Sequence, residues 1–273
     1  MKFVFCSLEL GAWRRMIYLK TPEEIEIMRE GGKKLAEILR RLVNMVRPGA
    51  TTPDLDKEAE IRIRSIGGEP AFKGYRAFGI PAPFPGTICT SINDEIVHGL
   101  PYPPREIKEG DVVSIDIGMK YKGFYTDTAF TVGVGKLPEN KLKLIETARK
   151  SLELAIDRLI EDLPSKRATI SLVGEVVQDY AENAGFHVVR ELVGHGVGKN
   201  LHEEPSVPNF RTPGTNILLE PGLVIAIEPM IYDGRSGVSF AKNDWPVVTT
   251  HGGYAAHFEH TVAVTDKGLI VLT

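Results

Sequence analysis

Residues 111–130 read DVVSIDIGMKYKGFYTDTAF, two runs rich in Val, Ile, Thr and aromatics on either side of a turn signal at Tyr121-Lys122-Gly123. Such runs, separated by a short Gly-containing break, predict an antiparallel hairpin. Aspartate is a poor strand residue and costly to bury, yet Asp116 and Asp127 each stand inside an apolar run. Folding the hairpin about the midpoint of Tyr121 and Lys122 sets the two aspartates directly opposite one another, with Cβ atoms about 4.5–5.5 Å apart. Like charges that close repel unless something positive lies between them. One acidic residue of this kind is usually an ordinary solvated side chain; a pair flanked by apolar residues asks for another account.

The chain repeats the arrangement. Segment 21–47 begins with a Thr cap, Pro at the first helical position and acidic residues in the first turn, then places Ile25, Met28, Leu35, Ile38, Leu39 and Leu42 at helical spacing before Pro48-Gly49. A second helical segment follows and stops at Gly67-Gly68. From about 139 the order recurs: a helix broken at Pro164, another helix ended at Gly185, then a β-like stretch. EGDVVSIDIG in the first half matches EPGLVIAIEP in the second, so Asp116 and Glu228 each follow a glycine by six residues. Each of these strands is followed by another with a carboxylate, Asp127 in YTDTAFTV and Glu259 in HFEHTVAV. The expectation is an α+β chain of two related halves, each with two helices on a curved antiparallel sheet, facing each other across a cleft. Four carboxylates converging there carry about four negative charges, which two divalent cations neutralise.

Between the acidic segments lies GHGVGKNLHEEP, residues 194–205, with His195 and His202 seven positions apart among glycines. One imidazole can complete a metal shell while the other reaches a substrate, and the Gly-rich backbone permits close approach. A phosphate-binding turn needs a helix immediately afterwards, and here the chain runs into NLHEEPSVP.

Composition narrows the classes. The 273 residues are 42% hydrophobic and 25% charged, as in an ordinary globular protein. Lys plus Arg number 33 against 36 acidic residues, so there is no basic excess to follow a phosphate backbone and no stable nucleic-acid partner is expected. Two cysteines, Cys6 and Cys89, are too few for a disulfide scaffold. No stretch approaches the roughly 18 apolar residues of a membrane helix. A cytoplasmic protein without a membrane partner is the expectation.

Taken as an ordered set, His98 in SINDEIVHG, Asp116 in SIDIG, Asp127 in YTDTAFT, His195 in GHGVGKNLHEEP, Glu228 in AIEP and Glu259 in FEHT resemble the motifs of the type I methionine aminopeptidases. The resemblance runs from about Tyr18 to the C-terminus. It implies the pita-bread fold: one catalytic domain over residues 16–273, with pseudo-symmetric halves of about 21–138 and 139–273. Residues 1–15 would be an extension, since MIYLKTPEE from Met16 reads like a natural beginning. A chain begun at Met16 is expected to fold and work.

The resemblance also implies removal of the initiator methionine from nascent polypeptides at two divalent metal ions (cobalt, manganese, iron or zinc). Asp116 would chelate one ion, Asp127 and Glu259 bridge both, and His195 with Glu228 hold the other. Such a pair lets hydroxide form near neutral pH and attack the peptide carbonyl. Glu228 is the implied proton shuttle, His202 a donor to the developing oxyanion, and His98 a group that positions the scissile amide. Matching positions give a methionine pocket of Tyr75, Phe78, Cys89, Leu201 and Trp245. The stretch AFGIPAPFPGTIC, residues 77–89, is longer than the family's usual loop, and Leu201 stands where an aromatic is common. A monomer with transient ribosome contact is expected. X-prolyl aminopeptidases and prolidases share the ligands but normally carry a large N-terminal domain, and type II methionine aminopeptidases place a helical insertion between the last two glutamates. A non-catalytic binding protein on the same fold can lose ligands, whereas all five positions and both substrate histidines are present here.

Overall fold

Thr21 opens the first helix through a reciprocal cap: its hydroxyl accepts from the Glu24 amide at 3.3 Å and its own amide donates to Glu24 Oε2 at 3.0 Å. Pro22, whose fixed φ suits a first helical position, follows. The structure, a computed structural model, describes residues 17–235, 237–240 and 245–273. The expected extension, residues 1–15, lies outside the described residues.

Helices α1 (Pro22–Met45) and α2 (Thr52–Ser65) precede strands β1 (Glu69–Pro70), β2 (Ile88–Ile92), β3 (Glu95–Val97), β4 (Val112–Tyr121) and β5 (Phe124–Gly133). Helices α3 (Glu139–Asp162) and α4 (Ile170–Asn183) precede β6 (His187–Val188), β7 (Gly194–Gly196), β8 (Glu203–Val207), β9 (Val224–Ile227) and β10 (Met230–Tyr232). The chain ends with β11 (Val238–Phe240), β12 (Val247–Thr249), β13 (Ala255–His257), β14 (Glu259–Thr265) and β15 (Gly268–Val271). In each helix pair the first member has 24 residues and the second 14.

Nine strands form one antiparallel sheet in the order β1-β4-β5-β14-β9-β7-β8, with β2 added on β4 and β15 on β14. The helices cover one face of it. Ile115, Ile117 and Met119 of β4 pack with Leu35, Leu42, Leu55 and Ile63 of α1 and α2. Ile225 and Ile227 of β9 and Val262 and Val264 of β14 pack with Leu152, Leu159, Val173 and Val177 of α3 and α4. Each fully buried Leu or Ile contributes about 1.5–3 kcal/mol. The period of two then fixes the other face: the residues between these apolar positions, Asp116 among them, point away from the helices.

The hairpin register differs from the sequence expectation. Tyr121 pairs with Phe124, so the turn is Lys122-Gly123, and Asp116 faces Ala129 while Asp127 faces Gly118. The two aspartates are diagonal neighbours rather than direct partners. The reason lies in the turn: a two-residue hairpin loop of this hand needs φ > 0 at both central positions, and Lys122 and Gly123 take 48° and 91°. Centring the turn on Tyr121-Lys122 would place the bulky Tyr121 in that conformation. Because the shift is by two residues, both aspartates keep the same face of the sheet.

Candidate active site

The register builds the site as a row across the sheet. Cys89 pairs with Asp116, Asp116 with Ala129, and Ala129 with Glu259. His260 pairs with Ile227 and Met230 with His257, and the same register carried between them sets Glu228 across from Glu259. Cross-strand partners share a face, so the four carboxylates, with Asp127 two residues along from Ala129, lean toward one another. Ala129 puts only a methyl group between Asp116 and Glu259. Hydroxyls pin the backbone beneath: Thr261 Oγ1 accepts from Asp127 N at 3.0 Å and donates to Asp127 O at 2.8 Å, and Thr128 Oγ1 donates to Glu259 O at 2.8 Å.

One strand and two loops bring the histidines in. His195 lies on β7, and its Nδ1 is 2.8 Å from Gly196 O. A carbonyl only accepts, so Nδ1 carries the proton and Nε2 presents a lone pair, 3.6 Å from Glu228 Oε1. Ligand atoms of Asp127, His195 and Glu259 all lie within 4.8 Å of one another. His202 stacks edge-on to His195 at 4.4 Å between centroids, and its Nδ1 is 2.9 Å from the Tyr75 hydroxyl. Its loop is tied down by Lys20, whose Nζ donates to Glu203 Oε2 at 2.7 Å, while Glu203 Oε1 accepts from Asn200 N at 2.8 Å. A Cβ on Gly198 would stand 2.2 Å from Lys20 Cε, so the glycine makes room for that lysine. His98 follows β3 in a left-handed conformation, φ 59°, sparsely populated for a residue with a side chain. The chain after it is clamped to β2: Thr90 N donates to Gly99 O, and the Arg105 guanidinium donates to the Thr90 and Leu100 carbonyls at 2.7 Å each.

Burial and mutual repulsion dominate the electrostatics. The carboxyls of Asp116, Asp127, Glu228 and Glu259 are all held above the usual carboxylate range, first by loss of water and then by one another's charge, Asp116 to about 7. Burial also lowers His98 and His195 to about 4. His202, exposed at the mouth, shifts in the same direction through desolvation and the neighbouring His195. Among the described residues, Asp116 Oδ1 is buried without a hydrogen-bond partner, as is Nε2 of His257, a residue beside Glu228 that the sequence analysis did not single out.

Beside the carboxylates lies an apolar cluster of Phe72, Phe84, Cys89, Leu201 and Trp245, with Tyr75 packed against it. Trp245 Nε1 donates to Ala82 O at 3.1 Å, and its ring meets Phe84 and His98 edge-on at 5.3 and 6.3 Å. Four of the five pocket positions expected from the sequence are gathered here. Phe78 is not: it is 84% exposed, at a turn closed by Ile80 N to Ala77 O. Phe72 and Phe84 were missed; both are aromatics near the expected pocket stretch, and only the loop's path turns them inward.

The residues fit a metal. Four carboxylates that bear on each other, a histidine with its lone pair turned inward and an unpartnered buried carboxylate oxygen form an oxygen-rich donor set of the kind divalent cations take. The family model of metallopeptidase family M24 matches residues 26–266, and the chain belongs to that family.

Within it, the similarity extends nearly end to end to methionine aminopeptidases. Methionine aminopeptidase 1 of Bacillus subtilis is 43% identical over 258 residues, covering 94% of this chain and 99% of its own. The crystal structure of methionine aminopeptidase from Thermotoga maritima superposes with a TM-score of 0.85 at 39% identity, again over 94% of this chain and 99% of that one. This is the pita-bread architecture. A prolidase from Thermococcus sibiricus shares the fold at 22% identity and a TM-score of 0.68, and 60% of its length is covered.

Proposed function

We propose that the chain is a divalent-metal-dependent aminopeptidase that releases N-terminal methionine from polypeptides, with nascent chains as its substrates. The observation that supports this reading is the gathering of Asp116, Asp127, His195, Glu228 and Glu259 beside a buried apolar cluster rich in aromatics. Those five side chains would hold two cations, of manganese, iron, cobalt or zinc. Bound there, the cations supply Lewis acidity, polarising the scissile carbonyl and lowering the pKa of a water.

The protein's own groups supply the rest. Methionine is unbranched and polarisable, and Phe72, Phe84, Trp245, Leu201, Cys89 and Tyr75 offer it an apolar, aromatic lining. If the Tyr75 hydroxyl donates to His202 Nδ1, the His202 proton sits on Nε2, where it can donate to an oxyanion. His98 would orient the amide, a role supported by its left-handed conformation and its ring contact with Trp245. Glu228, whose carboxyl is shifted upward, takes a proton at its carboxylate and returns it to the leaving amine.

The proposal extends to a cytoplasmic monomer with transient ribosome contact, built as one catalytic domain of two related halves. No described helix is long and apolar enough to cross a membrane. Chelation should abolish methionine release from a Met-Gly-type peptide, and single added divalent ions should restore it. A peptide panel with Met, Leu or a Pro-adjacent residue at the cleavage site separates this reading from a prolidase. Full-speed cleavage by ion-free protein would overturn it.

A further inference from the structure

Glu228 stands between two imidazoles. Its Oε1 is 3.6 Å from His195 Nε2, and its Oε2 is 3.6 Å from His257 Nε2. The two neighbours differ in what they can offer. His195 commits its ring proton to Gly196 O, so the nitrogen it turns toward Glu228 has none to give. The His257 ring is 2% exposed, and its Nε2 has no hydrogen-bond partner among the described residues. Of the two, His257 is therefore the one able to donate to the carboxylate.

Hydrogen bonds hold the backbone of His257 in addition to its packing. It ends β13, two residues before Glu259, with Met230 as its cross-strand partner. Thr131 Oγ1 accepts from His257 N at 2.8 Å and donates to His257 O at 2.7 Å. A hydroxyl has one proton, so the 2.8 Å contact between Ser114 and Thr131 has Ser114 as its donor. A polar chain from β4 through β5 thus fixes the backbone that carries the ring. The backbone of Glu228 is held from the other side, where Asn209 Nδ2 donates to the Glu228 carbonyl at 2.9 Å.

We propose that His257 is a positioning residue for the aminopeptidase reaction: its Nε2–H donates to Glu228 Oε2 and leaves Oε1 turned toward His195 and the scissile bond. A side-chain rotation that shortens the contact by about half an ångström brings it to ordinary hydrogen-bond length. The same bond steadies Glu228 whenever that carboxylate is ionised, which a shuttle of protons must be once per turnover. This inference rests on the aminopeptidase reading and assigns a role to a residue that reading did not need.

The test compares His257→Leu, which removes the donor at similar volume, with His257→Gln, which keeps an N–H. His257→Leu should lower kcat roughly 10–100-fold, the usual loss for an outer partner of a metal site, with KM nearly unchanged. His257→Gln should recover most of it. Calorimetric titration with manganese should give the wild-type stoichiometry and affinity for both variants. Long-range proton–nitrogen spectra of the metal-free wild-type protein should show the His257 ring protonated on Nε2. Wild-type kcat in His257→Leu, equal losses in the two variants, weakened manganese binding, or a proton on Nδ1 alone would each overturn the proposal. Should the wild-type protein release no methionine with any ion, the broader reading fails, and the nitrogen spectra still decide the hydrogen bond.

Discussion

Asp116 and Asp127 sit on two strands joined by a two-residue turn, whereas Glu228 and Glu259 lie far apart in the chain and meet because β9, β10, β13 and β14 share one register. The first pair is placed locally: the Lys122-Gly123 turn counts the residues along both strands. The second is placed by the whole half-molecule, through the core that Ile225, Ile227, Val262 and Val264 form with α3 and α4. A site assembled from one local and one non-local pair should fail differently when each contributor is disturbed.

The largest effect should come from deleting one carboxylate from each pair. Asp127→Ala and Glu259→Ala should each lower kcat/KM by more than the roughly 100-fold that loss of an outer-sphere partner costs. Comparable losses, with lowered affinity in a manganese titration, would show that both pairs serve the same ions. Wild-type turnover in either variant would break the pairing.

A smaller effect is expected from pH in the metal-free protein. The carboxyls are raised, so folding is favoured below their unfolded pKa values and that stability is lost as pH rises through the folded values, about 7 for Asp116. His98 and His195, lowered to about 4, act in the opposite sense: their contribution is present above 6.5 and lost as pH falls toward 4. Above pH 6.5 only the carboxyls act. Urea midpoints of chelated protein should therefore fall between pH 6.5 and 8, with a slope of about 1.4 kcal/mol per pH unit for each carboxyl that keeps its proton when folded and has lost it when unfolded. Added manganese should reverse the trend, because cations favour the ionised acids. A flat profile would mean the acids do not bear on each other.

Gly123→Ala should have the smallest effect, about 1–2 kcal/mol of stability for a side chain forced into the left-handed region, read from the denaturant midpoint. It touches the local pair alone. If activity falls with stability restored at low temperature, the turn also sets the spacing of Asp116 and Asp127; if only stability falls, the strands hold their register without it.

Much of this is legible in the sequence. The helix starts and stops followed from caps and breakers, and all six apolar positions assigned to the first helix are buried. The acidic residues stood out because they interrupt strands. Register did not emerge, because it depends on which two residues accept positive φ, and a lysine did. The aromatic lining was half read: Phe78 and Phe84 are six apart in one Pro-rich loop, and composition does not say which faces inward. His257 carried one usable signal, its place two residues before Glu259 in a stretch that reads as β, where alternation sends positions two apart the same way.

Neighbouring strands are spaced about 4.7–4.9 Å apart, so the backbone offers only coarse increments for the gap between the acids on either side of Ala129. Finer adjustment falls to arm length. Short aspartates reach from β4 and β5, and longer glutamates from the strand ends at 228 and 259. The mixture of the two acids thereby sets the width of the gap between them, with the alanine methyl as its floor. A cation held there would meet a gap that lengthening or shortening a single arm resizes without moving a strand.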